Sequence, residues 1–354
     1  MIKHTNSSSN LVDRVSPAYR RLALACHLVA ATLLLSLFAG QLTAKDILRL
    51  GYVGWDAEDP ICLAINYGAN EYANSLETRY RRIEIVTVHP KEDSPGYQRD
   101  AFFNILGQQI SGLILGPNSK TTSTAEYIAI AREMNIPVVI LREELPDTES
   151  KPLATITMDE NAAAKLAMET MLQKLRLSQS TFAVIHQQDG SLIRHAKRME
   201  AATAVLQAYN KDSEPIYRKQ ARFFSVSDNS VGLLQETYHK AETGDIYGEI
   251  DGWLLLGSWP VIGPGLYPVR NDPPHYSIVV MDTPPSALAL IADGQISAGI
   301  TTDYSDWGRR AVEILSGKLE FATDPGEPLV KTEPVVINAQ NAAEWQAKWA
   351  RWML

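Results

Sequence analysis

Short apolar runs along this chain alternate with longer stretches in which apolar residues recur every three or four positions. Residues 47–53 read as a strand, and 61–76 as a helix that places Ile61, Ala64, Ile65 and Gly68 on one face. A second strand follows at 83–88, a helix at 98–109, a strand at 112–115, a helix at 124–134 and a strand at 137–141. The runs Gly112-Leu113-Ile114-Leu115 and Val138-Val139-Ile140-Leu141 carry no polar alternation. Unbroken apolar strands of this length belong in a parallel sheet covered on both faces.

The rhythm then restarts. Helices are expected at 161–175, opened by Asp159 as cap, and at 192–209, 231–240, 285–293 and 307–315. Strands are expected at 182–186, 222–226, 252–256, 277–281 and 297–301, with a Pro/Gly-rich stretch at 260–274 and a loop at 323–328. Trp345, Trp349 and Trp352 recur at helical spacing and read as the packing stripe of a C-terminal helix, or else as a partner surface. Two α/β halves in succession predict an α/β fold of two doubly wound parallel-sheet lobes. Ligands of such sheets bind beyond the carboxyl ends of the strands.

The first 44 residues change the compartment. Lys3, Arg14, Arg20 and Arg21 precede an uncharged apolar run from Leu22 to Gly40, and Leu42-Thr43-Ala44 offers a small-residue cleavage site. Residues 1–44 are therefore expected to be a signal peptide that exports the chain to the periplasm, with retention as a membrane anchor the alternative. Cys26 lies in this segment, so Cys62 is left without an intramolecular partner and no disulfide frames the fold. The chain has 354 residues and a formal net charge of -8. An acidic surface repels phosphate backbones, which argues against nucleic acid as a partner. The seven histidines show no metal-ligand spacing, and no P-loop, Gly-x-Gly-x-x-Gly or Gly-x-Ser-x-Gly occurs, so neither metal, cofactor nor catalytic residue is expected.

Several segments, taken in order, carry a resemblance. Asp59-Pro60-Ile61-Cys62-Leu63-Ala64-Ile65-Asn66-Tyr67-Gly68 resembles the segment after the first strand of ribose-type periplasmic binding proteins. Gly112 to Pro117 is similar to their third strand, and Asn135 to Val139 to their fourth. Met281-Asp282-Thr283-Pro284 resembles their Phe-Asp-Gly-Thr-Pro turn, and Asp303-Tyr304 with Trp307-Gly308 their late segment. The resemblance covers residues 47–345 and implies a type I periplasmic binding fold, two lobes joined by three crossing segments. These crossings are expected at 151–156, 302–304 and 325–331. The N-terminal lobe would then hold 45–155 plus 303–328, and the C-terminal lobe 156–302 plus 329–354. The family's repressors begin with a helix-turn-helix, whose place is taken here by the leader.

A cleft for a polar ligand needs aromatic faces and planar polar side chains. Trp55 and Asp56 follow the first strand; Trp55 either contacts the cleft or lids the core. Asp59 stands where the family has Asn, as ligand contact, helix cap, or both. Arg142 and Glu143 replace the family's Asp-Arg pair, so Arg142 either grips an acceptor-rich, even anionic, ligand or pairs with Glu144 at the surface. One of Arg194 and Arg198 is expected to face the cleft, Arg194 being preferred. Asp228 reads as a cleft residue or a helix cap, and Trp259 as a stacking face where the family's Asn is missing. Asp282 matches the family's ligand-binding aspartate, and Thr302 stands where the family has Gln. The chain is thus expected to be a monomeric receptor, not an enzyme, that closes on a sugar, a sugar acid or another sugar derivative. Its further partner would be a membrane ABC permease or, alternatively, a membrane histidine kinase.

Overall fold

The computed structural model describes residues 46–78, 81–118, 123–145, 151–175, 179–187, 193–226, 250–258, 261 and 277–354. The leader, the helix expected at 231–240, most of the Pro/Gly-rich stretch, Asp228 and Trp259 lie outside these residues. Leu48–Glu77 and Ile83–Leu354 form one compact unit holding both lobes.

In chain order the first lobe begins with β1 (Asp46–Val53), α1 (Pro60–Ser75), β2 (Arg81–Thr87), α2 (Pro95–Leu106), β3 (Gly112–Leu115), α3 (Thr124–Glu133), β4 (Val138–Leu141) and β5 (Ala154–Met158). The second lobe follows with α4 (Glu160–Lys174), β6 (Ser180–Gln187), α5 (Ile193–Asp212), β7 (Lys219–Val226), β8 (Gly252–Leu255), β9 (Ser277–Met281), α6 (Pro285–Ala292) and β10 (Ala298–Thr301). The chain returns through α7 (Tyr304–Phe321) and β11 (Leu329–Thr332), then ends with β12 (Val335–Ile337) and α8 (Ala342–Trp352).

The two sheets run in the orders β11-β5-β4-β3-β1-β2 and β12-β10-β9-β8-β6-β7. Parallel pairing joins β1 to β3, β3 to β4, β4 to β5 and β5 to β11, as it joins β7, β6, β8, β9 and β10 in the other sheet. The exception is β12, antiparallel to β10. Both sheets fit the expected doubly wound lobes. Every residue of β3, β4, β8 and β10 is buried, which explains their unbroken apolar sequences.

Residues 154–158 extend the first sheet as β5 and residues 329–332 as β11, so the chain leaves that sheet only after Met158 and after Thr332. Ala154-Thr155-Ile156-Thr157-Met158 and Leu329-Val330-Lys331-Thr332 are short and half polar, so they look like connections in sequence. The other passage, from β10 to α7, runs through Thr302 and Asp303, and Asp303 caps α7 by accepting from the Ser305 and Asp306 amides.

The passages are tied together by hydroxyls. Thr302 Oγ1 lies 3.0 Å from Thr332 Oγ1 and 3.1 Å from the Glu333 carbonyl. Thr332 accepts from Trp307 Nε1 at 2.9 Å and donates to the Thr157 carbonyl at 3.3 Å. Near this junction α1 and α7 cross at glycines. A Cβ on Gly68 would lie 1.9 Å from the Ser305 carbonyl oxygen, and one on Gly308 2.0 Å from that of Ile65. In α8, Trp345, Trp349 and Trp352 are all buried, as a packing stripe requires.

Candidate functional site

The equivalent third strands of the two sheets, β4 and β9, end in the same unusual way. The next residues, Arg142 and Asp282, have left-handed backbones, φ 74° and φ 54°. Neither is glycine, and such a conformation costs on the order of 1–3 kcal/mol unless its surroundings impose it. Both side chains line one cavity between the lobes, of about 40 Å³. The first lobe also contributes Trp55, Asp59 and Met158, and the second Glu160, Arg194 and Arg198. Tyr304 and Trp307, at the start of α7, complete the wall near the passage from β10.

Asp59 both caps and lines. Its Oδ1 accepts the Ile61 amide at 2.8 Å, with Pro60 as first helical residue, and its Oδ2 accepts Trp55 Nε1 at 2.6 Å. The Trp55 ring is buried, and the Arg142 guanidinium carbon lies 4.5 Å from its centroid. The aromatic face expected for ligand stacking is therefore engaged by a side chain of the same lobe, a cation–π contact. The Arg142 carbonyl accepts Thr157 Oγ1 at 2.9 Å, which fixes the strained turn to β5.

In the second lobe Arg198 is fully buried, and its fork serves three acceptors. Nε donates to Glu160 Oε2 at 2.6 Å, Nη1 to Asp282 Oδ2 at 2.7 Å and to the Leu256 carbonyl at 2.9 Å, and Nη2 to Asp282 Oδ1 at 2.9 Å. Tyr304 Oη adds a 3.4 Å contact to Asp282. Burial alone would raise the Asp282 carboxyl, but Arg198 outweighs it and holds the group below the ordinary carboxylate range. Glu160 goes the other way: burial raises it, and the nearby Asp282 charge adds to burial against Arg198.

A second ion-pair group spans the lobes. Arg194 Nε on α5 stands 2.9 Å from Glu143 Oε1, and Lys197 Nζ, one turn on, donates to Glu144 Oε2 at 2.7 Å. Arg142 Nε is 3.9 Å from the same Glu143 oxygen. Arg142 thus pairs with Glu143 and Trp55, not with Glu144 at the surface. Both Arg194 and Arg198 reach the cavity, not one of them.

Two expected contacts lie elsewhere. Asp56 is not in the cavity wall; its Oδ1 closes a turn by accepting the Glu58 amide at 2.8 Å. Thr302 is also outside the wall, because its hydroxyl is directed at Thr332 and Glu333 in the junction. Glu160 went unforeseen, since the helix pattern places it in the first turn beside its cap Asp159. Its clue was a carboxylate followed by Asn161-Ala162-Ala163-Ala164, on a helix face too apolar to be solvent-facing. A larger groove of about 1040 Å³ runs between α4 and α5, where Ala201, Ala204, Val205 and Ala208 share the wall with Asp159, Lys165, Glu169, Asp212 and Lys331. Among the described residues no cluster of His, Cys, Asp and Glu is arranged to hold a metal ion, and no helix is long and apolar enough to cross a membrane.

Two doubly wound lobes, three passages between them and a charged cleft at the strand ends define a type I periplasmic binding fold. The profile of the periplasmic binding protein domain matches residues 50–323, and the chain belongs to that family. Among solved structures, it resembles a periplasmic ribose ABC transporter protein from Conexibacter woesei, with 19% identity and a TM-score of 0.69 over 88% of this chain and 99% of the other. An ABC transporter solute-binding protein from Agrobacterium vitis, bound with α-D-tagatopyranose, is 12% identical with a TM-score of 0.71, over 85% of this chain and 98% of that one. A XylFII–LytSN complex gives 19% identity and a TM-score of 0.58, over 84% and 100%. No curated protein sequence matches the chain significantly.

Proposed function

We propose that this protein is an exported receptor whose two lobes close on a small polar ligand, a sugar or sugar derivative, and present it to an ABC importer. The observation that carries this reading is the pair Arg142 and Asp282. Equivalent strands of two lobes deliver two strained, charged residues into one cavity. The ribose transporter and the tagatopyranose-bound solute-binding protein among the similar structures support the ligand class. The family assignment and the basic, apolar first 44 residues support a periplasmic location. A binding role, not acid/base catalysis, suits carboxylates that are already held by donors, as Asp59, Glu160 and Asp282 are.

A cavity of about 40 Å³ has room for little more than a water molecule. Ligand entry therefore requires the lobes to separate, and binding energy shared by both lobes then favours closure. Thermal-shift screening with sugars, sugar acids and polyols is expected to find stabilising ligands, since a ligand that binds only the native state raises its stability. Scattering with a ligand so found should show compaction. An unchanged envelope at saturation would remove the closing mechanism. The likeness to a XylFII–LytSN complex favours a second reading, in which a membrane histidine kinase reads the closed lobes. A permease and ATPase gene beside this one supports the importer; a histidine kinase gene there supports the sensor.

A further inference from the structure

Asp59, Glu160 and Asp282 are held by donors within the wall, whereas Arg142 and Arg194, though paired with Glu143, keep donors that make no hydrogen bond. Asp59 and Asp282 each accept through both oxygens, and Glu160 takes Arg198 Nε. Arg198 directs its donors at these acids and at the Leu256 carbonyl, so this part of the wall is complete in itself. The mouth is different. There Arg142, from the first lobe, and Arg194, from the second, share one carboxylate oxygen, Glu143 Oε1, at 3.9 and 2.9 Å. Neither meets it in hydrogen-bond geometry: Arg142 Nη1, Arg194 Nε and Glu143 Oε1 itself are all buried without a hydrogen-bond partner among the described residues. The Arg194 side chain is only 8% exposed.

A guanidinium offers five donors and no acceptor. Leaving buried charged donors unpaired is costly, and an anionic acceptor relieves that cost with bonds stronger than neutral ones. Two guanidiniums facing one carboxylate have room for a second negative charge. A neutral sugar hydroxyl can also accept from a guanidinium, but the bond lacks the charge assistance that a carboxylate brings to two unfilled arginine donors. From these contacts we infer that the ligand of this cleft carries a carboxylate, held between Arg142 and Arg194 so that the anion itself bridges the lobes. The inference rests on the receptor reading above and names the ligand class of that same site.

Calorimetric titration of the exported protein with matched pairs tests it: D-galactose with D-galacturonate, D-glucose with D-gluconate, and D-ribose with D-ribonate. At least one acid is expected to bind about tenfold or more tightly than its neutral partner. Arg142→Gln should cost the acid about tenfold more affinity than it costs the neutral sugar, and Arg194→Gln serves the same purpose should the first variant not fold. A neutral sugar that binds as tightly as its acid overturns the carboxylate and leaves the receptor standing. An equal loss for acid and sugar in the folded variant also overturns it. Binding by none of the six overturns the sugar-receptor reading, and the carboxylate with it.

Discussion

Arg198 holds Asp282 through two parallel hydrogen bonds, 2.7 and 2.9 Å long, with both side chains on the second lobe. The aspartate that the sequence presents as a free acceptor for ligand hydroxyls is thus the counter-ion of a fully buried arginine. Removing it leaves that charge with Glu160 as its remaining counter-ion and takes away two of its hydrogen bonds, and breaking a buried pair typically costs about 3–5 kcal/mol. Asp282→Ala is accordingly expected to destabilise the fold strongly. Arg198→Leu with Asp282→Leu should recover much of the loss, although Glu160 then lacks its partner. Urea unfolding of the single and double variants decides the matter. An Asp282→Ala protein within about 1 kcal/mol of the parent would remove this role.

The helix crossing near the junction makes a second expectation. In α7, a Cβ on Gly308 would stand 2.0 Å from the Ile65 carbonyl oxygen and 2.6 Å from the Ala69 nitrogen. Backbone atoms cannot swing aside as a flexible side chain can, so the helices must part. Gly308→Ala should cost roughly 1–3 kcal/mol or more, the usual range for overpacking. Gly317, on the same helix, has nothing within 4 Å of its Cβ position, and there alanine should gain up to about 1 kcal/mol from helix propensity. Melting curves of the two variants should move in opposite directions. A shared direction would show that the crossing does not set the effect.

Much of this fold was legible because parallel strands announce themselves: Leu113-Ile114-Leu115 and Val138 to Leu141 have no polar face to hide. β5 and β11 were not legible as strands. Thr157 and Thr332 are buried there because their hydroxyls serve the Arg142 turn and the junction, a reason that appears only when distant segments meet. The cleft was legible in part. Trp55, Asp59, Arg142, Arg194 and Asp282 follow or flank strand ends, and the topology brings all five to one wall. What the sequence hides is which of them bind each other. The commitments of Arg198 to Glu160, 38 positions away, and to Asp282, 84 away, leave no local pattern.

His89 makes stability depend on pH. Its Nδ1 accepts the Gly54 amide at 2.9 Å, next to Trp55, which requires a neutral ring on that side. Burial lowers its pKa from 6.5 to about 4. The unfolded chain therefore binds more protons between these values, and stability rises with pH across that window. The contribution is fully present above about pH 6.5 and lost as pH falls toward 4; at 1.36 kcal/mol per unit it amounts to roughly 3 kcal/mol. His186 and His195, also lowered by burial, add in the same direction. His89→Gln is expected to be less stable at pH 7 but to lose less between pH 6.5 and 4.5. An unchanged slope in that interval would exclude His89 as its source.

The pairs that join the lobes should set how readily they open. Glu143 and Glu144 follow β4 of the first lobe, and Arg194 and Lys197 lie one turn apart on α5 of the second. Opening must break both pairs. The outer one, with side chains 28% and 22% exposed, can be altered without unpairing a buried charge. An exposed pair of this kind contributes about 0.2–1 kcal/mol, and reversing one charge adds repulsion of similar size. Lys197→Glu is therefore expected to shift the equilibrium toward the open form severalfold. The shift lowers ligand affinity by the same factor, because only the closed fraction binds tightly. Exchanging the charges, Glu144→Lys with Lys197→Glu, should restore both. High salt should shrink the difference, since the screening length falls from about 10 Å at 0.1 M to about 3 Å at 1 M. The radius of gyration from solution scattering reads the opening directly. If Lys197→Glu leaves that radius and the affinity where they were, or if the exchanged pair fails to restore them, Lys197 and Glu144 do not hold the lobes together.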